Sequence, residues 1–166
     1  MIAKETTCCF TGHRASKLSW GFNENDERCL HLKTKIADAI EAVYFSGVRH
    51  FICGMANGAD LYFCEEALAL RESVKEMTIE AAIPWEGQCS RWPEREQRRY
   101  GNLVSQCDFR TLVCREYRQD CMMRRNRYMV DSSAVIIAAY DGKSGGTMNT
   151  LRYAIKQGIE VIHIMF

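Results

Sequence analysis

Short apolar runs alternate with amphipathic segments along the whole chain. Several runs are continuously apolar, which is typical of strands that are covered on both faces of a parallel sheet. β-branched residues are concentrated in the last two runs, at 135–137 and 161–162. The predicted strands are Thr7–Phe10, His50–Cys53, Met77–Ile83, Arg110–Cys114, Ser133–Tyr140 and Glu160–Met165.

Apolar stripes with helical spacing lie between these runs, and glycines at 47 and 158 follow two of them as expected helix ends. The stripes are Leu32–Ile36–Ile40–Val43, Ala59–Phe63–Ala67–Leu70 and Leu151–Ala154–Ile155, with weaker helical patterns at 93–106 and 120–131. This alternation predicts a Rossmann-like three-layer α/β/α fold around a mainly parallel sheet of about six strands. Since no repeat or linker interrupts the pattern, residues 1–166 are expected to form a single domain.

Composition narrows the function classes. The 166 residues include 22 basic and 21 acidic side chains, a formal net charge of +1, which argues against a nucleic-acid partner. No apolar stretch follows the first charged residues as in a signal peptide, and the longest apolar run, Ala134–Tyr140, is too short to span a bilayer. We therefore expect a cytoplasmic protein without a membrane partner.

The nine cysteines show neither a C-x-x-C pair nor the spacing of zinc ligands. Cys9 and Cys53 fall in predicted buried strands, where cysteine behaves as a small apolar residue. We expect reduced thiols and no metal or other cofactor.

The loops that leave the predicted strands contain the most informative residues. Ligands of open parallel sheets bind beyond the carboxyl ends of the strands, where the strand order reverses. Glycine allows close backbone approach, and a helix N-terminus attracts phosphate. The loops are Thr11–Arg14, Gly54–Asp60, Pro84–Gln88 and Asp141–Thr147. They predict a phosphate-binding site at this edge, the alternative being that the glycines only shape tight turns.

Three well-known nucleotide-binding or catalytic motifs are incomplete or absent in this chain. Gly142-Lys143-Ser144 resembles the end of a Walker A loop, but position 137, where its first glycine would stand, is Ile. Ser144 lies in a nucleophile-elbow pattern, yet the only acid and histidine after it belong to the last strand. No G-x-G-x-x-G follows the first strand.

The basic segments at 91–99 and 124–127 are expected to be solvated helix faces. Trp85, Trp92 and Tyr100 fit either a core or a base-stacking surface.

Five motifs in order resemble the YpsA/YoqJ-like family of the SLOG superfamily, named for the Smf/DprA and LOG proteins. They are Thr11-Gly12-His13-Arg14, Gly54-Met55-Ala56-x-Gly58-Ala59-Asp60, Ile83-Pro84-Trp85-x-Gly87-Gln88, Arg125–Asp131 and Gly145-Gly146-Thr147. The resemblance implies a Rossmann-like fold and a nucleotide-derived ligand. The candidate ligand-binding residues are Gly12, His13, Arg14, Gly54, Gly58, Ala59, Asp60, Trp85, Gln88, Arg125, Asn126, Gly145, Gly146 and Thr147.

The related LOG phosphoribohydrolases release the base from a nucleoside monophosphate, and their motif ends in a catalytic Glu. In this chain Gly146-Thr147 match that motif, but Thr150 stands at the Glu position and cannot supply a carboxylate. Glu86 or Asp60 are the possible substitutes. The leading interpretation is a module that binds a nucleotide or another small phosphate ligand. The alternatives are a LOG-like nucleotide N-glycosidase and a nucleic-acid-associated protein, and the sequence leaves homo-oligomerisation open.

Overall fold

Six parallel strands form one sheet in the computed structural model, which describes residues 1–166. The strands are β1 (Thr7–Gly12), β2 (His50–Cys53), β3 (Thr78–Ile83), β4 (Phe109–Leu112), β5 (Val135–Ala139) and β6 (Glu160–Ile164). Their order across the sheet is β4-β3-β2-β1-β5-β6, and every neighbouring pair is parallel. The predicted Rossmann-like fold is confirmed.

Helices connect the strands and cover the sheet. They are α1 (Glu27–Phe45), α2 (Ala59–Arg71), α3 (Glu94–Gln106), α4 (Cys121–Asp131) and α5 (Gly146–Gln157). In one layer α1 packs on α2 and α2 on α3, whereas α4 packs on α5 in the other. None of these helices combines the length and the apolar character that crossing a bilayer requires.

The alternation of side chains along β1 divides the core between the two layers. Phe10 belongs to the larger apolar cluster, together with Leu32 and Ile36 of α1, while Cys9 belongs to a smaller cluster with Met129 of α4. Burial raises the pKa of the Cys9 thiol to about 12, so this sulfur acts as an apolar packing atom. All nine cysteines are free thiols.

The strand order reverses between β1 and β5. These strands are neighbours, with Thr11 beside Ala138 and Gly12 beside Ala139. The chain leaves β1 towards β2, α1 and α2, whereas it leaves β5 towards α5 and β6 on the other side. Diverging connections at such a point open a crevice beyond the carboxyl ends of the two strands.

Candidate functional site

A cleft of about 330 Å³ lies at this reversal point. Its walls come from the loops after β1 and β2, the start of α5 and one face of α4. The lining residues are Phe10, Thr11, Gly12, His13, Arg14, Ser16, Lys17, Ala56, Asp60, Met122, Arg125, Asn126, Met129, Gly146 and Thr147. The structure thus brings three of the four glycine-containing loops together, as the sequence led us to expect.

The N-terminus of α5 forms one wall of the cleft. Gly145 precedes the helix with φ +142° and provides no side-chain cap for the first N–H groups. Gly146 and Thr147 begin the helix and line the cleft, and a Cβ at Gly146 would meet no atom within 4 Å. Lys17 donates a hydrogen bond to the carbonyl of Ser144 at 2.7 Å, which adds a positive charge beside the helix start. This wall therefore favours an anion.

Glycines position the loop after β1 against the start of α2. Gly58 has φ +88°, and a Cβ there would lie 2.5 Å from the Ala15 nitrogen. The Ala59 N–H donates to the carbonyl of His13 at 3.0 Å. A Cβ at Gly12 would lie 2.7 Å from that of Ala59. Gly58 and Ala59 do not line the cleft. They shape its wall by holding His13 in place.

Arg125 extends from α4 into the back of the cleft and is 3% exposed. Its Nη1 donates to the Gly54 carbonyl, and its Nε donates to Asn126 Oδ1 at 2.8 Å. Its Nη2 has only the sulfur of Met122 as a partner, at 3.8 Å. Arg125 forms no ion pair with any carboxylate. A buried guanidinium therefore lines the cleft without a salt-bridge partner.

Asp60 is the only carboxylate that lines the cleft, and it is also buried. Its Oδ2 accepts a hydrogen bond from the Ala56 N–H at 3.1 Å. Burial raises the pKa of Asp60, against the opposing influence of Arg125 and of this N–H. Burial likewise lowers the pKa of Arg125, against the influence of Asp60. Each group is thus held where its charged form is costly.

His13 joins the loops after β1 and β5. Its Nε2 lies 2.6 Å from Asp141 Oδ1, and its Nδ1 lies 3.5 Å from Thr147 Oγ1. Partial burial would raise the pKa of Asp141, but hydrogen bonds from the Lys143 N–H and His13 outweigh it and lower the pKa to about 2. Asp141 therefore stays ionised and orients the His13 ring. Sequence reasoning left Asp141 out of the candidate residues, although its place two residues after β5 was a usable signal.

The remaining candidate residues lie behind or beside the cleft. Trp85 does not line it; the indole packs edge-on against Tyr117, with ring centroids 5.1 Å apart. Gln88 is buried, donates to the Met55 carbonyl at 3.2 Å and reaches a small pocket next to Arg14. Gly54 and Gly145 support the wall without lining it. Thr11 and Ala56 line the cleft and lie in loops that the sequence singled out, although they were not candidate residues. The cleft residues that sequence reasoning missed are Phe10, Ser16, Lys17, Met122 and Met129.

The solvated basic faces expected from the sequence are only partly present. Arg124 is exposed and pairs with Asp120 at 2.7 Å, whereas Arg125 of the same segment is buried. In α3 the expectation is wrong for Arg99, which is half-buried and pairs with Glu24 and Glu65. Helical phase explains both differences, because neighbouring helical residues point to different sides.

The carboxylate that a LOG-type reaction needs is missing from the cleft. Thr150 is buried and donates its hydroxyl hydrogen bond to the Gly146 carbonyl at 2.9 Å. Glu86 does not line the cleft and pairs with Arg110 at 2.6 Å. The buried Asp60 is therefore the only candidate carboxylate left in the cleft.

Together, the strand order and the cleft define a Rossmann-like α/β protein whose crevice at the reversal point is lined by three basic side chains, Arg14, Lys17 and Arg125. The YspA SLOG family model matches residues 8–162, so the chain belongs to that family. The predicted family resemblance is confirmed.

Individual relatives are more distant. Over 139 residues the chain is 24% identical to a UPF0398 protein of Bacillus velezensis, covering 82% of this chain and 76% of the relative. It is 29% identical over 140 residues to the uncharacterised SPbeta prophage-derived protein YoqJ of Bacillus subtilis, covering 76% of this chain and 82% of YoqJ.

Two solved structures share the fold. DNA processing protein A (DprA) of Streptococcus pneumoniae aligns with a TM-score of 0.63 at 15% identity, over 96% of this chain and 50% of the DprA chain. DprA of Helicobacter pylori, whose structure describes a single-stranded-DNA binding mode, aligns with a TM-score of 0.63 at 16% identity, over 96% and 65%. This chain therefore spans between half and two thirds of the DprA chains.

Proposed function

We propose that this protein is a single-domain binding module for a nucleotide or nucleotide-derived phosphate ligand, with the phosphate at the start of α5. One observation carries the proposal: the buried Arg125 guanidinium lines the cleft without an ion-pair partner. A buried charge is costly unless a counter-charge and hydrogen bonds compensate it, and Arg125 has hydrogen bonds at Nη1 and Nε but no ion pair. A bound phosphate supplies that counter-charge.

The surroundings of Arg125 fit the same ligand. The uncapped N–H groups at Gly146 and Thr147 provide hydrogen-bond donors and a partial positive charge. Arg14 and Lys17 are exposed residues that line the cleft and contribute two further cations. Met122 is partly exposed and adds apolar surface that inorganic phosphate alone would not use, whereas Phe10 and Met129 are buried behind the cleft wall. A phosphate attached to an organic group uses both parts of the lining.

Binding without hydrolysis is the function that the carboxylates support. An N-glycosidase needs a carboxylate that reaches the sugar, and the only carboxylate of the cleft, Asp60, is buried and accepts a hydrogen bond from the Ala56 N–H. Incubation with each nucleoside monophosphate and chromatography of the products tests this point. We expect no free base, and release of base at a rate that depends on Asp60 would establish the enzymatic alternative.

Single-stranded DNA is a second candidate ligand, because the Helicobacter pylori DprA with this fold binds it. The phosphates of a DNA strand would pair with the same cationic side chains of the cleft. The formal net charge of +1, however, shows that acidic side chains balance the basic ones over the chain as a whole. We expect no salt-sensitive retention of oligonucleotides; retention that falls steeply with salt and is lost in Arg14→Ala would favour the DNA ligand.

A thermal-shift screen with nucleoside monophosphates, ribose 5-phosphate and inorganic phosphate tests the main proposal, because a ligand of the native state raises Tm. Arg14→Ala should reduce the shift, and Arg95→Ala, an exposed arginine outside the cleft, is the matched control. No shift with any phosphate compound, or equal shifts in both variants, would refute the proposed site.

A further inference from the structure

A groove of about 350 Å³ runs between α4 and α5 directly beside the cleft. It shares Met122, Asn126 and Gly146 with the cleft, so the two cavities are continuous. A ligand with its phosphate at Gly146 therefore has this groove as a neighbouring compartment.

The groove combines an aromatic face with two amides. The Tyr153 hydroxyl donates to Asp131 Oδ1 at 2.8 Å, which fixes the ring, and the Arg127 guanidinium lies 5.2 Å from the ring centroid. Asn126 uses its Oδ1 to accept from Arg125, which leaves its NH₂ group available. The Asn149 side chain is exposed and makes no hydrogen bond within the protein.

These groups match a nucleobase better than a second phosphate. A planar base presents a π face to Tyr153 and Arg127, and its edge accepts and donates hydrogen bonds as an amide does. No carboxylate lines the groove. The larger cavity on the other side of the cleft, about 590 Å³, is instead lined by several charged side chains, among them Glu27, Arg28, Asp141 and Lys143. A neutral base would have to displace water from those charges.

We propose that the groove between α4 and α5 holds the base of a nucleotide and that Asn149 reads the edge of that base. This proposal rests on the proposed phosphate site, since it assumes a phosphate at the start of α5. The chemical class of the ligand is then a nucleoside 5′-phosphate, and selectivity among bases resides in Asn126 and Asn149.

Calorimetric titrations of ribose 5-phosphate, the four common nucleoside monophosphates and their nucleosides test the base site. The wild-type protein should bind one monophosphate at least about tenfold more tightly than ribose 5-phosphate, as expected for a stacked and hydrogen-bonded base. Asn149→Ala should weaken that monophosphate about fivefold and leave ribose 5-phosphate unchanged. Asn102→Ala, an exposed asparagine of α3, is the matched control and should change neither.

Tyr153→Leu retains an apolar side chain but removes the π face, and it should also weaken the monophosphate selectively. Equal affinities of ribose 5-phosphate and every monophosphate, or equal effects of Asn149→Ala on both, would overturn the base site while leaving the phosphate site intact. Nucleoside binding that Asn149→Ala weakens, without any affinity for ribose 5-phosphate, would support the groove and refute the phosphate site. Absence of binding by every compound would refute both.

Discussion

Arg125 and Asp60 approach Gly54 together: a Cβ at Gly54 would lie 2.6 Å from Arg125 Nη1 and 2.9 Å from Asp60 Oδ2. Both side chains are buried and line the cleft, yet they form no ion pair. Gly54 therefore leaves the space in which the basic group can reach the cleft. Gly54 is therefore required for packing rather than for a positive φ, unlike Gly58 of the same loop.

Gly54→Ala should destabilise the protein, because the added methyl group must displace the buried side chains of Arg125 and Asp60. Overpacking of this kind costs about 1–3 kcal/mol, measured as the free energy of unfolding in urea. Gly101→Ala is the control, since Gly101 lies within the exposed part of α3 with no atom within 4 Å of an added Cβ. That variant should be unchanged or stabilised by about 0.5–1 kcal/mol. Equal effects at the two positions would show that the Gly54 contacts are unimportant.

Arg14→Ala should weaken binding of a phosphate ligand by about 1.5 kcal/mol, roughly tenfold, which is the lower range for a hydrogen bond to a charged group. Because Arg14 is exposed, solvent screens part of its charge, and stability should not change. Calorimetry at two salt concentrations measures both the loss of ligand affinity and the dependence of that loss on salt. A tenfold loss that does not diminish at high salt would contradict an electrostatic role.

Asp141→Asn should make the free energy of unfolding depend less on pH in the acidic range. The pKa of Asp141 is lowered to about 2 in the folded protein, below its ordinary value of about 3.9. The ionised carboxylate therefore stabilises the fold above about pH 4, and this contribution is lost as the pH falls through about 2. The wild-type protein should be more stable than the variant at pH 7, and the difference should shrink between pH 4 and pH 2. Urea unfolding at several pH values measures this difference, and a constant difference would contradict the lowered pKa of Asp141 in the folded protein.

The strands and helices could be predicted because their signals are local. Continuous apolar runs mark β2 and β5, and the stripe from Leu32 to Val43 marks α1. The end of β1 at Gly12 instead of Phe10 depends on pairing with β5, a contact between distant segments. Local patterns carry no information about such pairing.

The candidate site likewise has parts that the sequence could predict and parts that it could not. The loops were predictable because glycine and the reversal-point rule place them at one edge. The contact between His13 and Asp141 joins residues 128 positions apart and has no local signal. The burial of Arg125 did have a local signal, because Cys121, Arg125 and Met129 recur every fourth residue, which is the spacing of a buried helix face.

The most direct test of the account is calorimetric titration of Gly146→Val with a phosphate ligand that the wild-type protein binds. Gly146 begins α5 beside open space, and Gly145, not Gly146, has the positive φ, so the variant should fold with an unchanged Tm. Its side chain would occupy the place where a phosphate meets the free N–H groups of the helix. The account predicts that the variant loses binding while remaining folded. Unchanged affinity in folded Gly146→Val would contradict the proposed position of the phosphate.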